Sequence, residues 1–457
     1  MADIRVIIVG AGPAGVRAAQ TLVAAGIRPV VIDEAERAGG QIYRRQPRGF
    51  KRSHQTVYGT DSGKAQALHD AFDALSGRID YRPHSLAWAV AEDRLHVLSN
   101  GASSAIPFDA LILATGATDR LVPFEGWTLP GTYSLGGAQI ALKAQACSIG
   151  ARPVFLGTGP LLYLVAYQYL KAGVQVAAVL DTSPFSAQLA ALRDLAARPV
   201  LLARGLLYRA RLMAAGVKVE NGVTPRRIDG TDGVCAVLYR SASGEAREVA
   251  CDAVGMGFHL RSESQLADLA GCPFVFDATT AQWRPAFDAD GRSPRKGVYL
   301  AGDGARVMGA DAAEAAGQLA ALAALSDFGL NADSAEAARL RARLKQLEDF
   351  RRGLATAFPW PARLAASADD SVVVCRCEGI SAGDIRRTAC ELDAPELNRA
   401  KALSRIGMGR CQGRFCGSAA AEILADARGV PLEQVGRLRG AAPVKPLSMA
   451  TNSKDPA

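Results

Sequence analysis

Short apolar runs rich in β-branched residues alternate along this chain with longer stretches whose apolar positions recur at helical spacing. That is the pattern of a buried parallel sheet covered by helices. Ile4-Arg5-Val6-Ile7-Ile8-Val9 reads as a strand, Val16 to Ala25 as a helix, and Pro29 to Asp33 as a second strand. Ala110 to Leu113 and Val298 to Leu300 read as further buried strands, and the small, Ala-rich stretch Gly309 to Ala323 as a closely packed helix. The cycle begins again at Arg152 to Leu156: strand, helix, then a strand from Gln175 to Leu180. Ser334 to Arg352 is helical and strongly charged, an exposed connector that Phe358-Pro359-Trp360-Pro361 ends. A strand-like run, Val372 to Val374, opens a new unit near Asp370. The fold class expected is α/β: two Rossmann-like dinucleotide-binding domains and a small helical domain after them.

The turns carry the chemistry. Gly10-Ala11-Gly12-Pro13-Ala14-Gly15 sits between the first strand and the first helix. Gly10 permits a tight turn, Gly12 lets backbone approach a pyrophosphate, and Gly15 lets the helix pack on the strand. The helix N-terminus then presents unpaired N–H groups and a positive dipole end. Glu34 lies where a carboxylate accepts ribose hydroxyls. Three more segments make this an FAD pattern: Gly39-Gly40-Gln41 after the second strand, Ala114-Thr115-Gly116 ending a strand, and Gly302-Asp303 ending another, with Asp303 aimed at the ribityl or phosphate portion.

In the second cycle the turn is Gly157-Thr158-Gly159-Pro160-Leu161-Leu162, with Asp181 at the end of the next strand. Leu162 replaces the third glycine, so it is expected to push the helix away and alter the phosphate turn. Asp181 remains a candidate ribose acceptor. The ligand here is NAD(P), another adenine nucleotide or nothing, and a retained scaffold is the favoured reading.

The chain has nine cysteines. Cys375-Arg376-Cys377 and Cys411-x₄-Cys416 put four thiolates in two close pairs, which suits a zinc or iron–sulfur S₄ site. CxC with CxxxxC fits a [2Fe–2S] cluster better than the Cys-x₂₋₄-Cys pairs of structural zinc. Gly409, Gly413 and Gly417 let backbone N–H groups approach the sulfurs. Cys147, Cys235, Cys251, Cys272 and Cys390 are scattered singly and read as buried small apolar residues. No CxxC is present, which disfavours dithiol–disulfide chemistry beside the flavin. No catalytic acid or base stands out; His259 is a weak candidate.

Composition adds limits. Hydrophobic residues make up 49% and charged residues 21%, a globular balance, and the net charge of +8 suits a protein that holds phosphates. No Lys/Arg run with interleaved aromatics points to nucleic acid. No uninterrupted apolar stretch of ~18 residues or more marks a membrane span. The apolar N-terminus lacks a basic leader and is interrupted by Arg17, so a cytoplasmic location is expected, with peripheral association at the inner membrane as the variant.

Together, Gly10–Gly15, Gly39-Gly40-Gln41-Ile42-Tyr43-Arg44, Ala301-Gly302-Asp303 and the four clustered cysteines resemble the FAD-binding large subunits of multi-subunit amine and imino-acid dehydrogenases. That family includes octopine and nopaline oxidase A subunits, hydrogen cyanide synthase B subunits and D-hydroxyproline dehydrogenase alpha subunits. The cysteine segment resembles the bacterioferritin-associated-ferredoxin-like [2Fe–2S] domain fused to them. The resemblance implies FAD, a [2Fe–2S] cluster on Cys375, Cys377, Cys411 and Cys416, and a glycine-oxidase-like FAD beta subunit that oxidises the substrate, often with a small [2Fe–2S] gamma subunit. This chain would relay the electrons. A stand-alone NAD(P)H-dependent reductase of a ferredoxin-like acceptor, and a non-catalytic scaffold, are the alternatives. The expected domains are 1–120 with 280–330 for FAD, 121–279 for the second dinucleotide fold, 331–369 as connector, 370–440 for the cluster and 441–457 as tail.

Overall fold

The computed structural model describes residues 4–448; 1–3 and the last part of the expected tail, 449–457, lie outside the described residues. Two five-stranded sheets dominate. The first runs Val298–Leu300, Ala110–Leu113, Val6–Val9, Val30–Ile32, Asp80–Arg82, with every neighbouring pair parallel. The second runs Lys218–Asn221, Ala178–Asp181, Pro153–Thr158, Ala253–Phe258, Thr132–Ser134, again all parallel. Strands buried on both faces need continuous apolar sequence; Val6–Val9 and Ala178–Asp181 are buried at every position.

Each sheet carries a three-stranded antiparallel insert at the same place. Ser85–Ala91, Arg94–Ser99 and Ala102–Pro107 interrupt the first; Thr224–Asp229, Ala236–Arg240 and Ala246–Ala250 interrupt the second. The outer strands differ in origin. Val298–Leu300 closes the first sheet after the whole second unit has been completed, whereas Thr132–Ser134 joins the second sheet from upstream of its central strand.

The Ala-rich helix spans Ala310–Asp327 and crosses the first helix, Pro13–Ala24, at contact distance: a Cβ on Gly317 would lie 2.0 Å from the Ala14 carbonyl oxygen. The connector helix extends further than expected, over Ser334–Ala357, and is not simply exposed. Ala337, Leu340, Leu347, Gly353 and Ala357 are buried against the Ala-rich helix and the second unit. Gly353 lies against the helix Leu192–Leu195, where any Cβ would come within 2.9 Å of Asp194 Cβ. The cluster unit holds the helices Ala382–Cys390, Leu397–Ser404 and Gly417–Arg428. Its core is continuous with that of the second dinucleotide unit, from Leu156 and Phe258 through to Ile385 and Ile423.

One sequence expectation is corrected by burial. Cys147, Cys235 and Cys390 are exposed; only Cys251 and Cys272 of the five single cysteines are buried. The tail is docked as far as it is described. Val444 is buried in the core beneath the first sheet, its N–H donates to the Trp88 carbonyl at 3.0 Å, and Lys445 pairs with Glu34.

Candidate functional site

The first glycine turn is built by close approach. Gly10, at φ +105°, would put a Cβ 2.3 Å from the Ala114 carbonyl oxygen, and a Cβ on Gly15 would lie 1.8 Å from the Gly10 carbonyl oxygen. Only hydrogen fits at either place. Gly12 caps the helix with extended backbone, Pro13 follows as its first residue, and no acidic residue stands in the first turn. The dipole end is therefore free for an anion.

The other segments converge on this turn. Gly40 packs on Gly12: a Cβ there would come 2.9 Å from the Gly12 Cα. Gln41 beside it is exposed, its amide oxygen accepting from Arg44 at 2.8 Å. Thr115 Oγ1 donates to the Glu263 carbonyl at 2.5 Å, and the Glu263 N–H donates to the Gly116 carbonyl at 2.9 Å. Gly302 touches Ala14, and Gly304 lies against Thr115. Asp303 Oδ1 accepts from the N–H groups of Met308 (2.8 Å) and Gly309 (3.0 Å), which fixes the carboxylate at the start of the Ala-rich helix. Burial raises the Asp303 pKa, and those two N–H donors oppose the rise. Glycine turn, unopposed dipole, fixed acid and close-packed glycines are what a dinucleotide's pyrophosphate and ribityl chain require, so these residues fit FAD.

The acid at the end of the second strand is Asp33, not Glu34. Asp33 accepts from the Ala11 N–H at 2.5 Å and the Ala35 N–H at 2.7 Å, inside the glycine turn. Glu34 points to Lys445. Burial raises the Asp33 pKa against those N–H donors. Side chains alternate along extended backbone, so a one-residue step reverses the direction of the carboxylate.

The second turn keeps the topology and differs in its backbone and neighbours. A Cβ on Gly157 would fall 1.8 Å from the Gly257 carbonyl oxygen, as close an approach as in the first turn. Gly159, however, caps its helix at φ +105°, where Gly12 has φ −81°. His259 lies against it, with Nδ1 3.3 Å from the Gly159 Cβ position. The His259 Nε2–H donates to the Phe358 carbonyl at 2.7 Å, and burial pushes the imidazole pKa down to about 4, so it is neutral and enclosed rather than a surface base. Phe358 in turn packs on Tyr163. Leu162 is fully buried in the core with Phe155 and Val165; the departure lies in the turn and its neighbours.

Asp181 is also spoken for. It accepts from the Ser183 N–H and Tyr163 O–H, both at 2.8 Å, and from Gln188 and Asn221 at 3.2 and 3.3 Å. It is fully buried, and burial pushes its pKa up to about 6. With no exposed surface, the carboxylate is not presented to a ribose in this conformation.

A second junction, missed in the sequence, seals this region. The Arg120 guanidinium stacks 3.2 Å from the Trp360 ring centre and donates to the Thr280 and Ala281 carbonyls. Trp360 Nε1–H donates to Glu422 at 2.6 Å, and Glu422 lies 3.7 Å from Arg120. The motif that breaks the connector thus pins the second unit to the cluster helix Gly417–Arg428.

The four clustered cysteines meet. Cys375 ends the strand Val373–Cys375, and Cys416 caps the helix Gly417–Arg428. Hydrogen bonding from Cys416 brings the Cys375 pKa down to about 6, helped by the N–H groups of Gly407, Glu378 and Cys377. The same thiol brings Cys411 down to about 5, with Phe415 and Gly413 N–H groups adding to it. Cys416, as the shared donor, is raised, and burial raises Cys377. A binuclear cluster takes two thiolates at each iron, and four neighbouring sulfurs, of which Cys375 and Cys411 favour the thiolate and accept backbone N–H bonds, suit it. Gly409 is required by contact, since a Cβ would lie 2.2 Å from Cys377 Cβ. Gly417 does not face the sulfurs; its N–H donates to Gly413, and Gly407 takes the expected role.

Comparison with known proteins agrees with both halves. Residues 4–317 match the model of the pyridine nucleotide-disulphide oxidoreductases, and 373–426 match the BFD-like [2Fe-2S] binding domain. The chain is 38% identical to an opine oxidase A subunit from Rhizobium meliloti, covering 97% of this chain and 86% of the relative. It is 32% identical to hydrogen cyanide synthase subunit HcnB of Pseudomonas aeruginosa, covering 97% of each. Among solved structures, L-proline dehydrogenase from P. horikoshii superposes with a TM-score of 0.73 at 18% identity, over 99% of this chain and 79% of that one. T. acidophilum thioredoxin reductase superposes at 0.52 and 19% identity, over 71% of this chain and 98% of that one. No described helix is long and apolar enough to cross a membrane. The chain belongs to the pyridine nucleotide-disulphide oxidoreductase family, as an FAD-dependent oxidoreductase that carries a BFD-like [2Fe–2S] domain after its two dinucleotide folds.

Proposed function

We propose that this chain is the electron-transfer subunit of a heteromeric dehydrogenase of amino or imino acids, of the opine, D-hydroxyproline or glycine type. It takes electrons from a partner FAD subunit of the glycine-oxidase-like kind, accompanied in some assemblies by a small [2Fe–2S] gamma subunit, and passes them to an acceptor. The relatives named as oxidase and synthase subunits support this reading. The observation that carries it is an asymmetry: the first dinucleotide turn is open and complete, while the second is covered by His259 and the connector residue Phe358. A chain whose nicotinamide fold is closed needs another electron donor.

Bound here, flavin supplies two-electron acceptance with one-electron release, and the cluster carries one electron at a time. The residues do the holding. The N-terminus of Pro13–Ala24 faces the pyrophosphate, with Gly10, Gly12, Ala14 and Gly15 giving close backbone approach. Gly40, Gln41, Ala114, Thr115, Gly116, Gly302 and Asp303 complete the cradle, with Asp33 bracing the turn from behind. Cys375, Cys377, Cys411 and Cys416 hold the cluster.

Co-purification with a glycine-oxidase-like partner, followed by a screen of amino and imino acids, tests this. One substrate class should reduce the flavin of this chain only when the partner is present. A chain that reduces its flavin directly with such a substrate, without a partner, would contradict the relay role.

A further inference from the structure

The cluster loop is bonded to the flavin-side turn by one short extended segment with two working sides. The backbone of Leu260–Ser262 pairs antiparallel with Ala117–Asp119, and the next residue, Glu263, exchanges bonds with Gly116 and Thr115. The side chains of Arg261, Glu263 and Gln265 reach the loop between Cys411 and Cys416. Arg261 Nη1–H donates to the Arg414 carbonyl at 2.8 Å. Glu263 takes a two-pronged bond from Arg414, at 2.7 Å from Nε and 3.0 Å from Nη2. Gln265 Nε2–H donates to the Gln412 carbonyl at 2.6 Å. Arg414 Nη1 also reaches the Cys411 carbonyl (3.3 Å) and the docked tail at Val444 (2.6 Å). Glu263 and Arg414 are 9% and 8% exposed.

A buried ion pair with fork geometry contributes little net stability over apolar packing, but it fixes position strictly, because either partner left alone is an uncompensated charge. The arrangement combines two local structures: the extended Leu260–Ser262 leaves its peptide groups to Ala117–Asp119 while Arg261 turns to the loop, and Gln265 reaches the same loop from the first position of the helix Gln265–Leu269.

We propose that Arg261, Glu263 and Gln265, with Arg414, are positioning residues that hold the cluster loop at a set place against the flavin-binding turn. The two guanidinium groups also keep positive charge beside the cluster sulfurs, which favours its reduced form. This rests on the relay reading. The transfer concerned moves one electron at a time, oxidising the flavin and reducing the cluster by equal counts. A loop displaced by even a fraction of its present spacing would slow that transfer steeply.

The test uses the full chain loaded with FAD and iron, in wild-type form and as Glu263→Gln and Gln265→Ala. The flavin is reduced by a flash with 5-deazariboflavin, and arrival at the cluster is followed by absorbance. Cluster potential is read by spin-resonance titration, and amide exchange is followed across residues 409–417. Glu263→Gln should slow transfer by roughly tenfold or more, shift the potential and speed exchange in the loop, with flavin and iron content unchanged. Gln265→Ala should do the same more weakly, and it decides the matter if Glu263→Gln does not hold its cluster. Loaded variants with wild-type transfer, potential and exchange would overturn the positioning role while leaving the relay intact. A wild-type chain that holds both cofactors and never passes electrons between them would overturn both.

Discussion

The two dinucleotide folds share an all-parallel five-stranded sheet, an antiparallel insert at the same point and a glycine-rich turn, yet the two turns have different surroundings. Neither helix has an acidic residue in its first turn, but in the first fold Gly12 is extended and the acid behind the turn accepts only backbone N–H groups. In the second, Gly159 is at φ +105° beneath His259, and Asp181 is bonded by Tyr163, Ser183, Gln188 and Asn221. The glycines at the strand ends are equally tight in both. What separates them is partly within the second fold, in Tyr163, Asn221 and His259, and partly in the later chain, since Phe358 of the connector accepts from His259 and the cluster unit shares the second fold's core. Topology is inherited as a whole, whereas ligand access is decided by a few distant residues.

The largest effect should come from the open turn. Gly12→Val puts a branched side chain where backbone must approach a pyrophosphate, and flavin occupancy should fall by about 100-fold or more, equivalent to roughly 3 kcal/mol or more of binding free energy. The cluster should persist, since its ligands lie elsewhere. Flavin and iron content of the purified variant check both statements.

Next is the seal on the closed turn. Trp360→Ala removes the ring under Arg120 and the donor to Glu422, and it leaves a cavity between the second unit and the cluster helix. A loss of roughly 2–3 kcal/mol is expected, below that of a fully buried Trp because Trp360 is half-buried, with a charge pair left short of a partner adding to it. Urea unfolding should show it as a lower midpoint.

A smaller, pH-dependent effect should mark Asp181. Its folded pKa, about 6, lies above the ordinary value of 3.8. The stability from this group is therefore present below about pH 4 and lost as pH rises through about 6, by at most ~3 kcal/mol. The stability difference between wild type and Asp181→Asn should change in that direction between pH 4 and 7, and be flat above. A difference independent of pH would mean that Asp181 titrates as an exposed acid does.

Much of this was legible in the sequence. Both glycine turns, the strands flanking them and the cysteine pairs are local patterns, and local patterns survive translation into structure. The misses share a cause. Asp33 and Glu34 are adjacent acids, and only the exact end of the strand decides which one faces the turn. Asp181 looks like a ribose acceptor until Tyr163 and Asn221, brought in by other elements, are seen to use its oxygens. The exposed Cys147, Cys235 and Cys390, the docked connector, the Arg120–Trp360–Glu422 junction and the tail at Val444 all depend on contacts between residues far apart in the chain. Composition and periodicity carry no record of such pairings.

The most direct test of the contrast is stopped-flow mixing of the FAD- and cluster-loaded chain with NADH and, separately, NADPH. With the second turn covered by His259 and Phe358, the flavin absorbance should stay unchanged over minutes at sub-millimolar nucleotide. Bleaching within seconds with either nucleotide would contradict the account, because it would mean that the second fold is open and delivers hydride to the first.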